Sequence, residues 1–193
     1  SSNILFSDSF TRANSSSTIG SDWNTRCSTT WGIDMNRAKF ISGGGGCAAD
    51  AYISSSWITS ADYSVQATLP SAGGAHGWYG VVGRRVNYGA NDSEGYYALI
   101  SGGLNLYKRQ AGVWTQLASA SVSEAANDVI KLQMIGTSIS VFYNGVNKIS
   151  ITNSTFTAAG DAGLTVAETG SAGNLFDDFS VFGVNFQIFS FKL

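Results

Sequence analysis

Between residues 78 and 97 the chain gathers its densest set of aromatic rings and planar polar groups. Trp78-Tyr79 runs into Arg84-Arg85, the stretch Asn87-Tyr88-Gly89-Ala90-Asn91-Asp92 follows, and Tyr96-Tyr97 closes the set. Proteins hold sugars by stacking an aromatic ring on the apolar face and ringing it with Asn, Asp and Arg hydrogen-bonding groups. Trp78, Arg84, Tyr88, Asn91, Asp92 and Tyr97 are therefore the candidate carbohydrate-binding residues. On a strand of period two, positions 78 and 84 share one face and 79 and 85 the other. A second reading competes, in which Trp78, Tyr79, Tyr96 and Tyr97 fill a core and the two arginines sit on its rim. Trp23, Trp31, Trp57 and Trp114 each sit in or beside a strand pattern and are assigned to the core or its edge.

Catalytic groups are sparse. There are three glutamates, Glu94, Glu124 and Glu168. Glu94 has an acid two residues away, Asp92, but the pair sits in an Asn-Asp-Ser-Glu-Gly stretch that reads as a turn. His76 is the sole histidine, so no cluster of several histidines can hold a metal. Its Ala-Gly-Gly-Ala-His-Gly setting reads as a solvated loop. Cys27 and Cys47 are twenty residues apart. Bridged, they would close a loop worth about 3 kcal/mol in the chain-entropy model. Spacing alone does not decide between a bridge and two thiols.

Composition narrows the classes. The 193 residues include 28 Ser, 14 Thr, 13 Asn and 23 Gly, a share far above ordinary globular usage. Charged residues make up 12%, and the net charge of −2 with scattered Lys and Arg offers no basic patch for nucleic acid. Hydrophobic residues at 44% and aromatics at 12% supply a core and argue against disorder. No run of about 18 apolar residues spans a bilayer. Five Lys and three Glu are too few for a helix bundle. Ser1 to Phe10 lacks the basic and apolar regions of a signal peptide, though a cleaved one is compatible with the sequence.

The apolar residues alternate, or come in short runs broken by Gly, Ser, Asn and Asp, which is strand periodicity. Fourteen candidate strands follow at roughly even spacing. They are 4–10, 32–34, 38–42, 49–53, 63–69, 78–85, 94–101, 105–108, 113–117, 129–135, 138–143, 148–151, 162–167 and 175–182. Even spacing of this kind marks a sandwich or barrel. Gly43–Gly46 must be a turn or loop. Asn144-Gly145 tolerates positive φ at both central positions of a type I′ hairpin. Gly136-Thr137 turns the preceding hairpin, so 129–151 forms a three-stranded meander. One short stretch, 121–127, has helical composition, and it is too short to stand alone. The expected organisation is one domain over 1–183 and an apolar tail, Val-Asn-Phe-Gln-Ile-Phe-Ser-Phe-Lys-Leu, over 184–193. The tail reads either as one more edge strand or as a segment that docks on a neighbouring subunit by strand pairing.

The order of segments resembles the concanavalin A-like lectin/glucanase superfamily, and its laminin-G-like and pentraxin-like branches in particular. The resemblance rests on Phe6-Ser7-Asp8-Ser9-Phe10 and on Glu94–Ile100 with Gly103–Lys108. It continues through Gly112-Val113-Trp114, Val129–Gly145, and Gly163-Leu164 followed by Phe176-Asp177-Asp178-Phe179-Ser180-Val181. It spans nearly residues 1–182 and implies an all-β, two-sheet antiparallel jelly-roll sandwich. It also implies that the first and last strands lie side by side, which would bring the Phe residues of both onto a shared buried face. Hydrolases of this fold carry Glu-x-Asp-x-Glu on one strand, and this chain lacks that motif. The Gln-x-His strand motif of the alginate-lyase branch is absent too. Many relatives bind Ca²⁺, so Asp8, Asp177 and Asp178 are the candidate ligands if the terminal strands pair. Neighbouring strand residues point to opposite faces, so at most one of Asp177 and Asp178 can join Asp8. The competing reading makes these acids hydrogen-bonding groups of edges and turns.

The fold hosts lectins, hydrolases, lyases and virion proteins, so function must come from the site. The leading expectation is a non-catalytic sandwich on a phage capsid or tail, on the virion surface or otherwise extracellular. It would contact other virion or surface proteins, form a homo-oligomer through its tail, and recognise surface glycans. The alternative is a secreted carbohydrate-binding module or lectin centred on Trp78 or Tyr97. A third reading is a divergent glycoside hydrolase or polysaccharide lyase.

Overall fold

A computed structural model of the chain describes residues 3–69, 77–167 and 175–184. His76 and residues 185–193 of the apolar tail lie outside them. The described residues fold into two antiparallel sheets. The first contains β1 (Asn3–Asp8), β3 (Thr30–Asp34), β4 (Arg37–Ser42), β6 (Tyr63–Thr68), β11 (Val129–Ile135), β12 (Ser138–Tyr143), β13 (Val146–Thr152) and β15 (Leu175–Gly183). Its order is β13-β12-β11-β6-β15-β4-β3, with β1 also paired to β15. The second contains β2 (Trp23–Thr25), β5 (Ala49–Ile53), β7 (Tyr79–Tyr88), β8 (Asp92–Ile100), β9 (Leu104–Gln110), β10 (Val113–Ala120) and β14 (Asp161–Val166). Its order is β10-β9-β8-β7-β14-β5-β2. Fourteen of these strands overlap the sequence candidates. The fifteenth, β2, is three residues long, too short for alternation to register.

The terminal strands pair as the resemblance implied, with Phe6 opposite Val181 and Asp8 opposite Phe179. Phe6 and Phe179 meet edge to face, their ring centroids 6.2 Å apart. In the meander, Asn144 and Gly145 take φ of 50° and 77°, the two left-handed conformations of the expected hairpin turn. The Asn144 side chain anchors that turn. Its Oδ1 accepts from the Val129 N–H at 2.8 Å and its Nδ2 donates to Asp128 at 2.8 Å.

The main core lies between the sheets. Val65, Leu132, Met134, Val141 and Phe179 come from the first sheet. Val81, Tyr96, Ala98, Leu106 and Leu164 come from the second. The sheets approach closely at Gly83, where a Cβ would sit 2.5 Å from the Met134 methyl carbon. A residue with a side chain there would force the sheets apart or repack Met134. Of the four tryptophans assigned to the core or its edge, Trp23 and Trp31 are buried. Trp57 is 45% exposed at the sandwich edge, where it touches the Phe6 ring.

Candidate functional site

Strand alternation gives the seven-stranded sheet a second face, turned away from the sandwich interior. Tyr96 and Ala98 point inward, so Tyr97 and Leu99 point outward. Val82 and Tyr97 pack there with Ala48, against half-buried Trp78, Tyr107 and Trp114. The second half of β8, Tyr96–Ile100, is buried on both faces for this reason and reads as a continuous apolar run.

Part of the outer face is covered by a strap built from residues 26–29 and 43–48. A Cys27–Cys47 disulfide ties the two segments, with Cα atoms 6.1 Å apart. The Gly44 N–H donates to the Cys27 carbonyl at 3.1 Å. Arg26 reaches over to the β7–β8 hairpin, donating to the carbonyls of Gly89 and Asp92 at 2.7 Å each. Arg109 donates to the Gly46 carbonyl at 3.4 Å and to Asp92 Oδ2 at 2.6 Å. Ala48 then packs on Val82, Tyr97 and Leu99.

Beneath the strap lies a buried polar network. Asp50 is fully buried, and its Oδ2 accepts from Arg85 Nε at 3.0 Å, Ser93 Oγ at 2.7 Å and Tyr97 Oη at 3.2 Å. Arg85 is also fully buried. Its Nη1 donates to Asn87 Oδ1 at 3.1 Å and Asp161 Oδ2 at 3.2 Å. Its guanidinium stacks on the Tyr52 ring, 3.6 Å from the centroid. Burial beside Asp50 drives the Tyr97 phenol well above its ordinary pKa, so it stays a hydrogen-bond donor. Burial also raises the Asp161 carboxyl, partly offset by the Ser55 N–H and the Arg85 charge. Asp50 Oδ1, Arg85 Nη2, Thr165 Oγ1 and two nitrogens of Arg109 are buried without a partner. Buried polar atoms are nearly always paired, so a cluster of orphans on one face points to ligand groups or water.

Two hollows flank this network on the outer face. One, of about 190 Å³, is lined by Trp78, Leu99, Ser101, Tyr107 and Trp114. Its rings meet edge to face, with Trp114 centroids 5.2 Å from Trp78 and 4.7 Å from Tyr97. The other, of about 430 Å³, is polar, and its lining includes Asn24, Tyr52, Ser55, Arg85, Asn87 and Asp161.

The six residues singled out from sequence do not converge. Trp78 lines the aromatic hollow. Tyr97 is buried beside it and presents its hydroxyl to Asp50. Asp92 is ion-paired to Arg109 and accepts from the Ser93 N–H at 2.8 Å, which places it in the wall. Tyr88 and Asn91 are exposed at the β7–β8 hairpin. Asp92 and Glu94 belong to β8 rather than to the turn expected for them, and Glu94 accepts from the Ala111 N–H at 2.5 Å.

Arg84 corrects the face assignment. It takes φ of 46°, and the β7–β8 register shifts between Gly83 and Val86. This bulge inserts one residue and reverses the alternation. Arg84 therefore turns into the sandwich, where its N–H donates to the Tyr63 hydroxyl. Its guanidinium donates to the carbonyls of Ala61, Gly136 and Phe156 at 2.9, 2.7 and 2.8 Å. Arg85, not Arg84, shares the outer face with Trp78. Trp114, assigned to the core or its edge, is half-buried on the outer face, where it lines the aromatic hollow. Sequence reading also passed over Asp50, whose signal is a lone acid inside Ala48-Ala49-Asp50-Ala51-Tyr52-Ile53. Such an acid must be paired when buried.

Two of the three candidate calcium ligands, Asp8 and Asp177, have protein partners. Asp8 accepts from Arg12 at 2.5 Å, Trp23 Nε1 at 2.8 Å and the Phe10 N–H at 2.7 Å. Asp177 accepts from the Asp178 N–H at 2.9 Å, and Asp178 sits in a bulge with φ of 46°. Burial raises the Asp177 carboxyl, and the charges of Asp178 and Asp8 add to the rise. No group of three or more acidic, His or Cys side chains placed to hold a metal ion occurs among the described residues.

No protein-family model matches the chain, and no curated protein matches it in sequence. Solved structures match its fold. The carbohydrate binding module CBM66 from Bacillus subtilis aligns with a TM-score of 0.66 and 19% identity, over 84% of this chain and 96% of that one. A Bacillus subtilis protein of unknown function with a galectin-like fold aligns at 0.64 and 12%, over 93% and 96%. The exoplasmic/lumenal domain of VIP36, in a Ca²⁺/Man3GlcNAc-bound form, aligns at 0.61 and 11%, over 96% and 91%. The two-sheet antiparallel sandwich of this chain is thus similar in fold to a carbohydrate binding module, a galectin-like protein and the VIP36 lumenal domain.

Proposed function

We propose that the chain is a carbohydrate-binding module or lectin that holds its glycan on the outer face of the seven-stranded sheet. The observation that carries this reading is the aromatic hollow. Trp78, Tyr107 and Trp114 stand half-exposed in one depression beside a network rich in hydrogen-bonding groups. Aromatic rings match the apolar face of a sugar, and planar polar groups at their margin match its hydroxyls. The CBM66 and VIP36 likenesses support the same reading at the level of fold. The Cys27–Cys47 disulfide suits an oxidising compartment and supports an extracellular setting. A virion appendage that oligomerises through its tail would use residues outside those described, and the named neighbours favour the sugar-binding alternative.

The test is binding of a glycan panel to the wild type and to Trp114→Ala. Wild type should bind at least one glycan class at millimolar or better affinity. The variant should lose about tenfold, equivalent to ~1.4 kcal/mol. Its unfolding should stay cooperative, with a lowered midpoint because Trp114 packs on Trp78, Tyr97 and Tyr107. A wild type that binds nothing on the panel, or a variant that binds as well, overturns the reading.

A further inference from the structure

We propose that the polar hollow is a second sugar subsite, specific for a neutral ring with two adjacent hydroxyls, so that the outer face binds an oligosaccharide. This rests on the carbohydrate reading above. The hollow, at about 430 Å³, lies within the size range of small-molecule sites. It has a built floor. Arg85 is fully buried, lines the hollow, and holds Asp161 and Asn87 in place through Nη1. Its Nη2 has no partner. A buried donor of that kind is costly unless something accepts from it.

The remaining groups are complementary to a pair of hydroxyls. Asp161 accepts from the Ser55 N–H through Oδ1 at 2.7 Å and from Arg85 through Oδ2, and each oxygen keeps a second lone pair. Asn87 accepts through Oδ1, so its amide N–H groups face outward as donors. Acceptor and donor side by side match adjacent hydroxyls, each of which can donate and accept. Charge sets the class of ring. Arg85 and Asp161, the charged groups of the hollow's lining, neutralise each other, so a uronate or sulfated sugar finds no spare positive charge there.

The two hollows lie on different strands. Tyr107 is on β9 and Asp161 on β14, three strand spacings away, or about 15 Å. One ring cannot touch both, whereas a chain of several can. Such a chain would cross the sheet over the strap.

The test uses neutral xylo-, manno-, galacto- and fructo-oligosaccharides of one to about five units, with oligogalacturonates as the acidic arm. Wild type should gain about tenfold or more in affinity with length in one neutral series. It should bind the acidic series more weakly than the neutral one. Asn87→Ala and Asp161→Asn should each flatten the gain to less than about threefold. Asn87 is exposed, so its variant keeps the fold if Asp161→Asn does not. In NMR titrations the Asn24 and Asn87 amides should shift with the longest ligand. If Trp114→Ala weakens binding but both hollow variants keep the length gain, or those amides stay still, the second subsite is wrong and the carbohydrate reading stands. If no series binds wild type, the carbohydrate reading itself fails.

Discussion

Removing the Asp50 carboxylate should destabilise the protein far more than removing both members of its ion pair. Asp50 and Arg85 are each fully buried, and Arg85 Nε lies 3.0 Å from Asp50 Oδ2. In Asp50→Ala the guanidinium stays buried, keeping Asp161 at 3.2 Å and the Tyr52 ring as its remaining counterweights. Ser93 and Tyr97 lose their acceptor, although they can still bond each other across 2.9 Å. Breaking a buried pair from one side costs about 3–5 kcal/mol. For a domain of this size that lowers the thermal midpoint by about 6–20 °C. The double variant Asp50→Leu/Arg85→Met removes both charges and fills the volume with apolar groups. It should lie within about 2 kcal/mol of wild type. Reversible urea unfolding of wild type, Asp50→Leu, Arg85→Met and the double variant closes the cycle and yields the coupling energy. A loss below about 1 kcal/mol in Asp50→Ala, or a double variant equal to the sum of the singles, would refute the buried pair as described.

Two other outcomes follow from the same geometry. Cys27→Ser/Cys47→Ser opens the loop that ties the strap, and urea unfolding should show a loss of about 3 kcal/mol, which an unchanged midpoint would contradict. Alkaline pH should also destabilise. Burial raises the Tyr63, Tyr97 and Tyr143 phenols, and burial with the Glu124 charge pushes Tyr79 up to about 12. The folded state holds these protons more tightly than the unfolded chain, so their contribution is complete below pH ~10 and is lost as pH rises toward 12. Urea midpoints that stay flat across that window, or early phenolate absorbance from the folded protein, would count against it.

Much of the architecture was legible because period-two alternation is a local property. The meander shows it, since Asn144-Gly145 dictates its own turn and the flanking apolar residues dictate the register. The pairing of the terminal strands came from the resemblance, and the Phe spacing of both segments agreed with it. The site was less legible, for three separate reasons. Alternation says that two faces exist but not which one meets the other sheet, so it does not separate Trp114, on the outer face, from the tryptophans of the interior. The left-handed residue at Arg84 shifts the phase, and an Arg-Arg pair in sequence carries no sign of a bulge. The Gly43–Gly46 run reads as a loop, but its path across a distant sheet depends on Arg26, Arg109 and a disulfide partner twenty residues away. Asp50 is different, because its signal was present: a single carboxylate in an otherwise apolar strand demands a counter-charge.

The inserted residue at Arg84 divides labour between two neighbours in the chain. One arginine is mortar for the interior, answering to carbonyls, to the Tyr63 hydroxyl and to the Asp62 carboxylate. The next is tooling for the exterior, answering to whatever the molecule meets. Change at position 85 acts on the outer face and leaves the contacts between the layers in place, at the cost of stripping Asp50 of its buried partner, while deletion of a single residue here would remove the bulge and turn the phase of the strand.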